Sequence, residues 1–271
     1  MARRALYTVL MGKYEQLNPL PDIAQGGIDA YCFSDDPDLR SDTWTIVHVE
    51  PEFALDSVRS QRLIKILGHP ILNTYGETLF IDGTVRLKVH PNEILDAWLA
   101  NADLALPEHS FRATVDEEFA EVIADKLDSR ERVTEQLGHY RKLYGKTLTR
   151  RPLWTAMMAR RKTATVDEFS RVWAEHILRY SRRDQLSVAV AAEISGVALA
   201  RIPLDNHVSD LHQWPIRNGL KKKVRTTDMP DYFEKFEYSQ LEVSHYRDQL
   251  EQTWRSLSWR LTKPLRIGRR R

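Results

Sequence analysis

Apolar runs and polar interruptions alternate along the first two thirds of the chain in the rhythm of an α/β protein. Residues 5–11 read as a buried strand closed by Gly12-Lys13-Tyr14. Residues 28–33 form a second, stopped at the turn Ser34-Asp35-Asp36-Pro37, and residues 44–49 alternate as a third. Asp56 or Ser57 caps a helix running to about Leu67. Leu79-Phe80-Ile81 then brings three bulky apolar residues in a row, as in a strand buried on both faces. Asp82-Gly83-Thr84 turns or bulges the chain, and Val85 to Lys88 alternates as a half-buried strand. This layout delivers one carboxylate, Asp82, to the end of a core strand, the place where open α/β sheets bind ligands. The plainer alternative is a strand that ends in an Asp-Gly turn.

Further along, Pro91-Asn92-Glu93 opens a helix carrying Ile94, Leu95, Trp98 and Leu99, and residues 102–106 form a short strand. Residues 115–144 are charged and helical in pattern. Residues 153–159 read as a strand, and Phe169, Val172, Trp173, His176, Ile177 and Tyr180 recur at helical spacing as core positions. Ser181 with Asp184 is either a capping-box variant before the apolar run 188–192 or a polar helix start aimed at a ligand. Arg59, Arg62, Lys65 and His69 fall on one side of the first helix. That stripe is either a solvated face or a set of cations for a diphosphate. Asp205, His207, Asp210 and His212 put two acids and two histidines within eight residues, which suits a structural cluster or a metal or phosphate site.

Composition narrows the reading. The 271 residues are 42% hydrophobic and 29% charged, with no apolar run near the ~20 residues of a membrane span. Met1-Ala2-Arg3-Arg4 runs straight into a strand, without a signal-peptide core. A single cysteine, Cys32, excludes an internal disulfide and a cysteine-built zinc site, so a reducing, cytoplasmic setting is expected. Neither G-x-G-x-x-G nor a Walker A motif occurs. Net charge is +2, but residues 255–271 hold seven basic side chains and no acid, leaving the rest mildly acidic. Lys221-Lys222-Lys223 begins a hinge closed by Pro230. Phe236, Val243, Leu250 and Leu257 then recur every seven residues in one long helix. Two domains are expected, 1–220 and 221–271. The long helix offers a route to a homo-oligomer. The basic tail with Trp254 and Trp259 suits peripheral contact with the inner face of an anionic membrane, or a helix packed back on the domain. An acidic body without a recognition motif argues against nucleic acid as the partner.

Several stretches together resemble the glycosyltransferase-like domain named for plant mucilage and turgor-regulation proteins, also found in bacterial polysaccharide loci. They are Tyr7 to Tyr14, Tyr31-Cys32-Phe33-Ser34-Asp35, Arg59-Ser60-Gln61-Arg62 with Lys65 and His69-Pro70, Phe80 to Leu87, His109, and Arg183-Asp184-Gln185-Leu186-Ser187. The resemblance covers about residues 5–215. It implies a GT-A-like fold, one Rossmann-like domain with a mixed central sheet, followed here by a helical extension. It also implies a nucleotide-sugar donor, UDP- or GDP-linked, and a polysaccharide or lipid-linked glycan acceptor. Asp82-Gly83-Thr84 takes the place of the family's D-x-D-like motif, with Thr84 where an acid is usual. Asp82 with His207 or His212 would hold Mn²⁺ or Mg²⁺. Arg59, Arg62 and Lys65 would neutralise the diphosphate, and Gly12, Tyr14 and Asp35 would meet base and ribose. Arg183 and Gln185 would hold sugar hydroxyls or phosphate, and His109 would touch the acceptor. Asp184 would act as base on the acceptor or orient the donor sugar. The alternative is a catalytically degenerate transferase fold that recruits partners through its C-terminal helix.

Overall fold

The computed structural model describes residues 2–13, 15–21 and 27–215. The mixed α/β fold expected from the sequence is the one observed. β1 (Arg4–Leu10), β2 (Ile28–Ser34), β3 (Thr45–His48) and β4 (Glu77–Ile81) run parallel, in the order β3-β2-β1-β4. β7 (Met157–Arg161) adds antiparallel to β4, then β6 (Leu104–Pro107) antiparallel to β7, and β8 (Leu199–Ile202) parallel to β6. A separate ribbon pairs β5 (Arg86–Leu87) with β9 (His212–Gln213). The chain lays β1, β2 and β3 outward in one direction and then returns to place β4 on the other side of β1. The carboxyl ends of β1 and β4 therefore flank a switch of direction, where such sheets open a crevice.

Both sheet faces are covered. Tyr7, Val9 and Met11 point into one core with Ile66, Phe80, Phe169 and Trp173, while Leu6 and Leu10 point into the other with Leu79, Ile81, Ile94 and Trp98. The first core lies under α1 (Ser57–Leu67) and α5 (Ala164–Arg179), the second under α2 (Pro91–Trp98). A two-faced strand must be apolar throughout, which is why Leu79-Phe80-Ile81 carries no polar interruption. Burying each such side chain contributes about 1.5–3 kcal/mol. α3 (Val115–Ala124), α4 (Arg130–Leu148) and α6 (Val188–Ser195) form a third cluster around Phe119, Tyr140 and Val190. The lone Cys32 is buried, and burial pushes its thiol up to about 12, so it stays protonated and serves as core.

Three expectations change. The strand expected over 153–159 begins only at Met157. Leu153 and Trp154 are apolar because they are buried, and the Trp154 N–H donates to the Pro107 carbonyl outside regular pairing. The helical stretch from 115 breaks into α3 and α4, where Ser129 caps the second. The basic stripe of α1 is not a solvated face, because Arg59, Arg62 and Lys65 are all buried. The boundary expected near residue 220 and the whole C-terminal extension lie outside the described residues, as does Tyr14.

Candidate functional site

The end of β4 opens onto a cleft of about 190 Å³. Asp82, Thr84, Arg62, Arg183, Asp184 and Gln185 line it on one side, and His109, Phe111, Trp154 and Trp214 on another. Local sequence explains the shape at Asp82. Its N–H donates to the Ala156 carbonyl, and the Val85 N–H donates back to the Asp82 carbonyl, closing a tight turn. The Gly83 carbonyl accepts from Asn18 Nδ2 at 2.7 Å. A Cβ on Gly83 would stand 2.6 Å from Leu10 Cδ2 and 2.9 Å from Glu15 Oε2, so the close approach to the end of β1 favours glycine.

Beneath the cleft lies a buried ion network. Arg62 and Lys65 sit three residues apart on α1 and so share one face. Asp184 opens a 3-10 turn, Asp184–Leu186, ahead of α6. Lys65 Nζ is 2.6 Å from Asp184 Oδ2 and 3.7 Å from Asp82 Oδ1, while Arg62 Nε is 3.2 Å from Asp184 Oδ2. Lys65 is fully buried and the Asp184 side chain is 1% exposed, against 25% for Asp82. Burial alone would push the Asp184 carboxyl up. The Arg62 and Lys65 charges outweigh it and hold the group well below the usual carboxylate range. Burial pulls the Lys65 ammonium down, opposed by Asp184 and Asp82. Asp184 makes no capping bond, and Ser181 Oγ donates instead to Asp128 at 2.7 Å. The capping-box alternative therefore falls away.

Other predicted residues divide. Gly12, with φ at +77°, donates its N–H to both carboxylate oxygens of Asp35 at 3.1 and 3.0 Å, tying the ends of β1 and β2 beside the switch point. Arg59 turns away from the cleft. Its guanidinium meets Asp56 at 3.2 Å and the carbonyls of Ile177 and Leu178 at the end of α5, so it braces two helices instead of facing a diphosphate. His69 packs tilted against Phe33, with centroids 4.8 Å apart.

His109 lines the cleft. Its imidazole is pushed down to about 4, first by burial and then by Arg112, Arg151 and His207, so it is neutral near pH 7. His212 is buried with both ring nitrogens engaged, Nε2 with the Asn206 carbonyl at 3.0 Å and Nδ1 with Ser209 Oγ at 2.8 Å. It has no lone pair left for a metal. His207 stacks between Phe111 and Trp214, at 5.1 and 5.3 Å between centroids. Among the described residues no three His, Cys, Asp or Glu side chains converge as a protein-built metal site requires. The donor set fits a different kind of site. Mg²⁺ and Mn²⁺ accept one or two carboxylates completed by substrate phosphates, and Asp82 is a hard, cleft-facing oxygen donor.

Glu118 belongs to no motif in the sequence, yet it reaches the cleft. It is buried, accepts from Gln185 Nε2 at 3.2 Å and lies 3.6 Å from Arg112 Nε and 3.9 Å from His109 Nε2. A signal existed, since 115, 118, 119 and 122 share the inward face of α3, and an acid on such a face is seldom idle. Phe111, Trp154 and Trp214 also reach the cleft without any local motif.

The family described as TOD1/MUCI70, glycosyltransferase-like domain, matches residues 32–199. Among curated proteins none matches. Among solved structures, the chain is similar to the mannosyltransferase Ktr4p from S. cerevisiae, at 10% identity and a TM-score of 0.41. That alignment takes in 70% of this chain, which spans 65% of the length of Ktr4p.

Proposed function

The chain belongs to the TOD1/MUCI70 glycosyltransferase-like domain family, and from that premise we propose that it transfers a hexose from a nucleotide-sugar to a polysaccharide or lipid-linked glycan. The observation that carries the reading is the pair of carboxylates in one cleft, Asp184 sealed under two cations and Asp82 turned toward the cavity. Glycosyl transfer breaks the bond from the anomeric carbon to a diphosphate oxygen, and the departing negative charge must be met by fixed positive groups. Arg62 and Arg183 line the cavity and supply such charge. A divalent cation, when bound, adds charge neutralisation at the diphosphate, and Asp82 is the residue suited to hold it.

Asp184 is a poor proton acceptor, because Lys65 and Arg62 both favour its charged form. Its role is to lock Arg62 and Lys65 in place at the floor of the cleft, while Gln185 beside it reaches toward the donor sugar. Gly12 and Asp35 meet the base and ribose at the switch point, and Thr84 stays near the diphosphate through Gly83. His109, being neutral, presents a hydrogen-bonding ring to the acceptor side. Among the described residues no helix is long and apolar enough to cross a membrane. The reading includes peripheral contact with an anionic membrane face through the basic tail. The test is calorimetry against a panel of UDP- and GDP-sugars, followed by donor hydrolysis. The full-length protein binds at least one donor, and Asp82→Ala abolishes turnover with the fold retained. No binding to any donor would favour a scaffold role, and full activity of Asp82→Ala would end the proposal.

A further inference from the structure

Along the cleft runs a series of rings in contact. Trp154 meets Trp214 edge-on, at 5.5 Å between centroids. Trp214 donates its Nε1–H to Thr84 Oγ1 at 3.0 Å, which anchors the series two residues from Asp82. His207 lies against Trp214, Phe111 stacks on His207 with 19° between planes, and His109 meets Phe111 edge-on at 4.2 Å. Phe111 is 43% exposed, unusual for a phenyl ring lining a cavity. Under it the buried Nδ1 of His109 has no hydrogen-bond partner among the described residues.

We infer that this aromatic wall is an acceptor subsite that takes the apolar face of a pyranose ring. The inference rests on the transferase reading above and names the substrate chemistry of the same cleft. Two observations support a sugar here. A pyranose has one face of C–H groups, which an aromatic face with its negative quadrupole attracts, and a rim of hydroxyls that needs hydrogen-bonding partners. Phe111 offers exposed ring surface, with the Arg112 guanidinium 5.4 Å from its centroid, and the unpaired, buried His109 nitrogen next to it offers a polar partner. The topology assigns the wall to the acceptor and not to the donor's base. Gly12 and Asp35 end β1 and β2, on one side of Asp82. The rings come from segments flanking β6, β7 and β8, on the other side. A donor in the switch-point crevice leaves the aromatic side open for the second sugar.

The test uses the full-length protein, saturation-transfer NMR and two sets of probes. The first is UDP and GDP. The second is a panel of trisaccharides of gluco-, galacto- and manno-pyranose. At least one trisaccharide shows saturation at the C–H protons of a single ring face. Phe111→Ala weakens it about tenfold and Phe111→Trp restores it, while nucleotide affinity stays the same in both variants. Two results overturn the inference. One is that no trisaccharide binds while a nucleotide does. The other is that Phe111→Ala weakens the nucleotide instead, which would make the ring a base platform. If the trisaccharide binds through Phe111 but no nucleotide or nucleotide-sugar binds, the subsite stands and the transferase reading is what fails.

Discussion

The cleft has two walls built on opposite principles. The charged floor is sealed. Lys65, Arg62 and Asp184 come from α1 and the turn before α6, and they hold one another away from water. The aromatic wall comes from segments flanking β6, β7 and β8, and runs from a buried Trp154 to an exposed Phe111. Rigid charge suits a step in which a diphosphate leaves and fixed groups must already be in place. Ring faces suit recognition of a partner that enters and leaves. Burial thus divides labour within one cavity. It also says where each substitution will register, in stability for the floor and in binding for the wall.

The largest effect is expected from taking one cation out of the floor. Lys65→Met leaves Asp184 buried with only part of its neutralisation, and should cost about 3–5 kcal/mol by denaturant unfolding at pH 7. Adding Asp184→Leu should recover part of that loss while activity stays absent, separating stability from chemistry. A floor variant with wild-type stability would mean that the ion network is solvated.

Acid provides the next test. Asp184 has its carboxyl held down, so the stability it lends is present above the ordinary value of 3.8 and fades as pH falls below it. His109 is the converse case, because the unfolded chain takes up a proton near 6.5 and the folded chain only near 4. Between those values the unfolded state binds more protons, so stability rises with pH across the window, by up to about 3 kcal/mol for this group. His109→Gln should flatten the slope of unfolding free energy between pH 5 and 6.5, measured by urea titration.

Smaller effects belong to the wall. Trp214→Phe keeps a ring but loses the bond to Thr84 Oγ1, and should cost about 1 kcal/mol. Phe111→Ala, at an exposed site, should change stability by no more than about 0.5 kcal/mol. A large loss from Phe111→Ala in thermal unfolding would show that the ring is core, and the contrast between walls would dissolve.

Most of the sheet was legible because its strands are buried on both faces and write that fact locally, as Leu79-Phe80-Ile81 does. Asp82 was legible for the same reason, being the first acid after an unbroken apolar run. The stripe of Arg59, Arg62 and Lys65 was found, but not its separate destinies. Helical spacing tells which residues share a face, not that α5 would cover that face and draw Arg59 to its terminal carbonyls. The histidines misled in a related way. His212 looked like a ligand by residue type, and only the folded loop shows Asn206 and Ser209 consuming both nitrogens. Of the aromatic wall only His109 and His207 stood out in the sequence, and not as parts of one ring series. Phe111 lies about a hundred residues before His207 and Trp214, and meets them only through the sheet order.

The most direct measurement is a crystal structure of the protein soaked with UDP or GDP and Mn²⁺. The account predicts the diphosphate in the cleft beside Asp82 and Arg62, with the base toward Gly12 and Asp35 and the Phe111 face left open. A nucleotide bound elsewhere, with the Asp82 carboxylate touching nothing but Lys65, would contradict it.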